Sequence, residues 1–163
     1  MELVIVCALM GIMAAIAIPR MSSAADNSRG FALKSSLAQL QRCVDYYAAE
    51  HADRTPATEP DGSATTSGLV LAQRLMRHTD DFGTIKPAGI YGPYLQLWPV
   101  NPFNGRATIR IDGPAAGANT AGWRYSSATM KVEADHQVSG AINVVTSGAI
   151  KPGGAAEAEA TGP

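Results

Sequence analysis

The sequence is poor in cross-links, in aromatic bulk and, at one end, in charge. Only two cysteines, Cys7 and Cys43, occur in 163 residues, too few for a disulfide framework. On one continuous helix, at about 1.5 Å of rise per residue, they would stand roughly 54 Å apart. A disulfide needs Cα atoms within about 7 Å, so no bridge within the chain is available and the polar part folds on its core alone. Aromatic residues make up 6% of the chain, and no basic aromatic patch of the kind that grips single-stranded nucleic acid occurs. Charge is nearly balanced, 13 Lys plus Arg against 14 Asp plus Glu, which removes any bulk field toward nucleic acid.

Chemistry-bearing motifs are also missing. There is no phosphate loop and no nucleophile elbow. The three histidines, His51, His78 and His136, have no second His or Cys at metal-ligand spacing. His78 with Asp80 and Asp81 comes nearest to a metal or acid–base cluster, but it reads as a solvated helix end. Asp61-Gly62-Ser63 has loop chemistry without the alternating carboxylates of a calcium loop, while Asp112 and Asp135 read as isolated. Cys7 reads as packed among apolar helices, and Cys43 as core or an intersubunit contact. The expectation is a protein that is not an enzyme and carries no cofactor and no metal.

The longest gap is in charge, which is absent from Leu3 to Ile18. A helix of that length covers about 24 Å, short of the ~30 Å hydrocarbon core of a bilayer. It serves as a membrane helix if it tilts or if the bilayer thins. A secretory signal peptide would use Ala14-Ala15-Ile16-Ala17 for cleavage, but it would want a basic start where Glu2 stands. A plain transmembrane anchor accounts for the hydrophobicity and leaves Glu2 unexplained. A buried core helix fits poorly, because every face is apolar over more than four turns. Glu2 itself costs a few kcal/mol in hydrocarbon unless it snorkels or finds a cation. Two readings stay open for it: pairing with a neighbouring copy, or a plain interfacial carboxylate.

The residues that are present carry a resemblance. Met1-Glu2-Leu3-Val4-Ile5-Val6, followed by Gly11-Ile12-Met13-Ala14-Ala15-Ile16-Ala17-Ile18-Pro19, resembles the N-terminal segment of type IV pilins and type II secretion pseudopilins. In that family a prepilin peptidase cuts after a glycine, leaving a Phe-Thr-Leu-x-Glu start, an apolar helix and a proline after an Ala-Ile-rich run. The spacing from Glu2 through Gly11 to Pro19 agrees with that pattern; the leader and the Phe-Thr-Leu triplet do not appear. Met1 would then be the fourth mature residue of a longer natural start, and the N-methylated amine that pairs with the glutamate lies outside this sequence. The resemblance implies assembly residues Glu2, Gly11 and Pro19. Glu2 would neutralise the amine of an adjacent subunit, and Gly11 and Pro19 would flank helix that loosens on packing. The physics agrees with weakness there: Pro19 costs about 3 kcal/mol of helix and crowds the Ala15 carbonyl, and Gly11 adds about 1 kcal/mol.

Beyond Pro19 the chain turns amphipathic. Leu33, Leu37, Leu40, Val44 and Tyr47 recur at one-face helical spacing, with Gln39, Gln41, Arg42 and Asp45 between them suited to water or polar neighbours. The reading is one helix to about His51, kinked near Pro19. Residues 52–66 read as a loop, and Ser67 as the N-cap of a short helix with Val70, Leu71, Leu75 and Met76 on its apolar side. Three prolines among residues 93–102 exclude a central strand there. Period-two alternation at residues 107–111, 123–126 and 130–133 predicts half-buried antiparallel strands, with Ala141–Val145 a further candidate. Lys151–Pro163 has no periodicity and reads as disordered unless neighbours pin it.

The expected fold is α+β, a long N-terminal helix packed on a small antiparallel sheet. Its expected parts are a membrane or filament-core helix at residues 1–22, an amphipathic continuation at 23–51, a head at 52–150 and a flexible tail at 151–163. The expected function is a structural subunit of a type IV filament, a major pilin or a pseudopilin. The alternative is a membrane-anchored binding module, or a minor pilin-like subunit of a type II secretion system. By the resemblance, its partners would be copies of itself in a helical filament, the inner membrane before assembly, the assembly machinery and the prepilin peptidase, with no nucleic acid required. The location would be the bacterial inner membrane, then a periplasmic pseudopilus or an extracellular pilus. The lack of a C-terminal disulfide loop leans toward a pseudopilin, and the lack of a calcium pattern leans back toward a pilin.

Overall fold

The structure, a computed structural model, describes the backbone of residues 2–137 and the side chains of residues 3–11 and 25–137. The strand anticipated at Ala141–Val145 and the tail at 151–163 lie outside the described residues. Helix α1 runs Glu2–Glu50, about 73 Å at standard rise. Its C-terminal part buries Leu33, Leu40, Val44 and Tyr47, with Leu37 partly covered, a single stripe that sits on the head. The helix stops where Ala52 and Asp53 adopt left-handed backbone, φ 53° and 62°. Asp53 N–H then reaches back to the Ala48 carbonyl at 2.8 Å, and the His51 ring nitrogen Nδ1 donates to the Tyr47 carbonyl at 2.8 Å. The first bond satisfies a carbonyl near the helix end; the second is added to a Tyr47 carbonyl that already accepts from His51 N–H at 3.0 Å.

One expectation for the N-terminal part needs correction. The helical assignment passes through Pro19 without a break, since one proline removes one bond from a ladder whose neighbours remain. Among the described residues no helix is long and apolar enough to cross a membrane. This overturns the expected inner-membrane anchor, with the transmembrane, cell-surface and periplasmic assignments that followed from it. The physical reason is length: the uncharged run Leu3–Ile18 falls short of the roughly 20 apolar residues a bilayer needs.

Helix α2, Gly68–Met76, is capped by Ser67, whose Oγ accepts from Val70 N–H at 3.4 Å. It buries Leu71 and Leu75. Gly68 lies directly on the sheet: a Cβ there would stand 1.8 Å from the Ile109 carbonyl oxygen, so only glycine permits this approach.

The sheet has three strands, β1 Ile109–Ile111, β2 Trp123–Ser126 and β3 Lys131–Ala134, in the order β1-β2-β3. β2 and β3 pair antiparallel as a hairpin, with Trp123 opposite Ala134 and Tyr125 opposite Val132. β1 and β2 pair parallel, with Ile109 opposite Trp123. The expected antiparallel sheet is therefore wrong; the sheet is mixed. Alternation reports only which face a residue occupies, and it is the same for either strand direction. The direction is set by residues 112–122, which carry the chain back to the start of β1 without a helix, whereas parallel neighbours ordinarily need one.

The buried face carries Ile109, Trp123, Tyr125, Val132 and Ala134. Helix α1 packs on β3 and helix α2 on β1. Gln41 of α1 joins the strand directly: its Oε1 accepts from Val132 N–H at 3.0 Å, and its Nε2 donates to the Met130 carbonyl at 3.1 Å. The Trp123 indole N–H donates to the Pro99 carbonyl at 2.9 Å, tying the proline-rich segment down over the sheet.

Candidate functional site

All three predicted assembly residues lie on α1, and the helix does not bring them together. At standard rise Glu2 and Gly11 stand about 13 Å apart and Glu2 and Pro19 about 25 Å apart. Gly11 is exposed, and a Cβ built on it would meet nothing within 4 Å. What surrounds it is apolar: Leu3, Val4, Ile5 and Val6 are 79%, 72%, 60% and 47% exposed, and Leu9 and Met10 are exposed too. Four consecutive residues at 100° steps occupy the whole circumference of a helix. No single face is offered; the shaft is apolar all round, and no charged residue interrupts it from Leu3 to Ile18. Covering side chains of this size is worth about 1.5–3 kcal/mol each. The Cys7 thiol is free and exposed within this stretch, while Cys43 is free and buried, its Sγ donating to the Tyr94 carbonyl at 3.2 Å. Burial pushes the Cys43 thiol up.

The head contains a second polar centre that the sequence did not disclose. Asp135, taken as isolated, follows β3 directly and is fully buried. Arg110 of β1 grips its carboxylate with both arms of the guanidinium, Nε to Oδ2 at 2.8 Å and Nη2 to Oδ1 at 2.7 Å. The backbone N–H groups of Gly117 and Ala118 donate to Oδ1, both at 3.1 Å. Those of Thr120 and Ala121 donate to Oδ2 at 3.1 and 3.0 Å, joined by the Thr120 hydroxyl at 3.0 Å. Burial alone would push this carboxyl up, but the Arg110 guanidinium and the converging donors outweigh it and hold the group well below the usual carboxylate range. Arg110 also donates to the carbonyls of Asp112 and Ala115. Asp112 is likewise engaged, accepting from Ser127 N–H at 2.9 Å and from the Ser127 hydroxyl.

The histidines occupy separate settings. His51 is buried at the end of α1, stacked on Tyr47 with ring centroids 3.9 Å apart, and its Nε2 meets the Thr79 hydroxyl at 3.0 Å. With Nδ1 donating to a carbonyl, Nε2 accepts from Thr79 in the neutral ring. His136 is buried and stacked on Phe103 at 4.5 Å; burial lowers its pKa against the opposing pull of Asp135. His78 lies in a shallow open hollow of 440 Å³ with Arg77, Lys86, Met76, Ile85 and Pro87. Asp80, next to His78 in the sequence reading, instead accepts from Lys86 Nζ at 2.7 Å and from Phe82 and Thr84 N–H. The Lys86 bond leads in lowering its pKa to about 2. Among the described residues no group of three His, Cys, Asp or Glu is placed to hold a metal ion.

Arg74 of α2, buried, was also not foreseen. It donates to the carbonyls of Gly83 and Pro56 at 3.1 and 3.0 Å and pairs with Glu59 at 2.6 Å. Its apolar stem continues the α2 stripe and its head ties down two loops. Comparison of the chain with protein-family models, with curated proteins and with solved structures finds no match.

Proposed function

We propose that this chain is a structural subunit of a filament of the type IV kind, a major pilin or a pseudopilin, whose copies join through the apolar residues of α1. The observation that carries the reading is the exposure of Leu3, Val4, Ile5, Leu9 and Met10 around an uncharged shaft, beside a head whose core is already closed. A surface apolar on all sides favours burial among several neighbours, since one partner covers only part of the circumference. The N-terminal resemblance supports the same reading. Glu2 then pairs with a positive charge on a neighbouring copy, because an unpaired carboxylate among apolar helices is costly. Gly11 and Pro19 supply helix that yields as the shafts pack. The partners in this role are further copies of the chain and the machinery that stacks them.

Electron microscopy and sedimentation of the chain produced together with a type IV assembly machinery test the reading, set beside the triple variant Leu3→Ser, Ile5→Ser, Met10→Ser. Fibres with a regular repeat are expected from the unsubstituted chain and none from the variant, with the same head melting temperature in both. A single small species at every concentration, or aggregates without a repeat, would overturn the proposal.

A further inference from the structure

We infer that residues 113–121, the crossover between β1 and β2, form a strap that opens and closes as one unit, latched by the Asp135 carboxylate and clamped by Arg110. The inference does not rest on the filament reading.

The strap has almost no apolar anchorage. Gly113, Pro114, Ala115, Ala118, Asn119 and Thr120 are exposed, and only Ala121 at its end is buried. It contains no helix or strand, so its backbone groups find no ladder. Its amide donors converge instead on one point. The N–H groups of Gly117, Ala118, Thr120 and Ala121 all end on the two oxygens of Asp135. The outward carbonyls are held from outside the strap: Ala115 by Arg110, Thr120 by Arg106 at 2.7 Å and Ala121 by Asn104 at 2.8 Å. Donors that share one acceptor cannot be released singly without leaving a buried charge less satisfied, which is costly. They therefore leave together. The apolar core, built from Leu71, Leu75, Trp123 and Tyr125, shares none of these bonds and does not have to loosen when the strap does.

Position adds to the argument. Asp135 lies just past β3, so the latch that orders the β1–β2 crossover is made late in the chain, after both strands it serves. Strap residues are thus ordered only once the β2–β3 hairpin has placed Asp135 beside Arg110. No side chain of the strap itself replaces that carboxylate.

Native-state hydrogen exchange on the full chain tests this without any substitution. The amides of Gly117, Ala118, Thr120 and Ala121 are expected to share one opening rate, faster than that of the Leu71, Leu75 and Tyr125 amides. Scattered rates within the strap, or a strap rate equal to the core rate, would overturn the inference. In Asp135→Asn, which keeps the shape but loses the charge, the four strap amides should lose protection together by roughly a hundredfold or more, as expected when a buried ion pair is broken. Core amides should remain the better protected set, since the strap opens without them. Arg110→Lys keeps the positive charge without the fork and should give a smaller loss at the same four amides. Strap amides that keep their full protection in Arg110→Lys, or that lose it unevenly, would also overturn the idea. If Asp135→Asn fails to fold, the unsubstituted chain and Arg110→Lys decide the matter.

Discussion

The two ends of α1 are the same secondary structure put to opposite uses. Around Leu33, Leu40, Val44 and Tyr47 the apolar residues keep to one stripe and are buried within the chain; around Leu3 to Met10 they cover every side and remain exposed. A stripe can be satisfied by one sheet, and here it is. A shaft apolar on all sides cannot be satisfied by anything the head offers. The difference teaches that hydrophobic content alone says little about where a helix belongs; the angular distribution of apolar residues says how many partners it needs.

That comparison can be broken at either end. The largest effect is expected in the stripe: Leu40→Ala should cost the head about 2–5 kcal/mol through lost contacts and a residual cavity, read by denaturant unfolding, whereas Ile5→Ser should leave the same unfolding curve in place. Equal losses from the two variants would mean that the shaft is not independent of the head. A smaller effect is expected from acid. The pKa of His136 is lowered in the folded head, so the unfolded chain binds the proton more readily. The stability this contributes is fully present above the unfolded value near 6.5 and is lost as pH falls through the folded value. Asp135, also lowered, adds its own loss only far below that. Thermal melts should drop between pH 7.5 and 5.5, and His136→Phe should flatten the difference. The smallest effect on the head is predicted for Glu2→Ala, which should not move its melting temperature at all while impairing fibre formation. Normal fibres from that variant would remove Glu2 from any role in register.

Much of the local structure was legible because it depends on neighbours in sequence. The Leu33-to-Tyr47 stripe, the Ser67 cap with Leu71 and Leu75 behind it, and the alternation around Trp123 and Tyr125 each express a periodicity that needs no knowledge of the rest of the chain. Strand direction did not have that property. Ile109 and Ile111 alternate identically whether β1 lies parallel or antiparallel to β2, and the deciding feature was the return path through residues 112–122. Asp135 was illegible for a related reason. Its partners, Arg110 and the amides of residues 117–121, are 14 to 25 positions away, and four of its donors are backbone groups, which leave no mark in a sequence. Gln41 was read as suited to water or polar neighbours; its partners prove to be strand backbone 89 and 91 residues on.

The contacts at the two flanks of the sheet have a consequence for crowding. A three-stranded sheet has two open borders, each a row of amides and carbonyls able to recruit a strand from another molecule. On the β3 side the Gln41 amide already occupies Val132 N–H and the Met130 carbonyl, imitating the strand that would otherwise add there. On the β1 side the first residue of α2 presses on Ile109 so closely that even a methyl group would not fit. Heads brought shoulder to shoulder at high local concentration thus have little free backbone with which to zip into one another. Any contact between copies would then fall to side chains, and among the described residues the shaft gathers a run of large exposed apolar ones, Leu3 to Val6 with Leu9 and Met10.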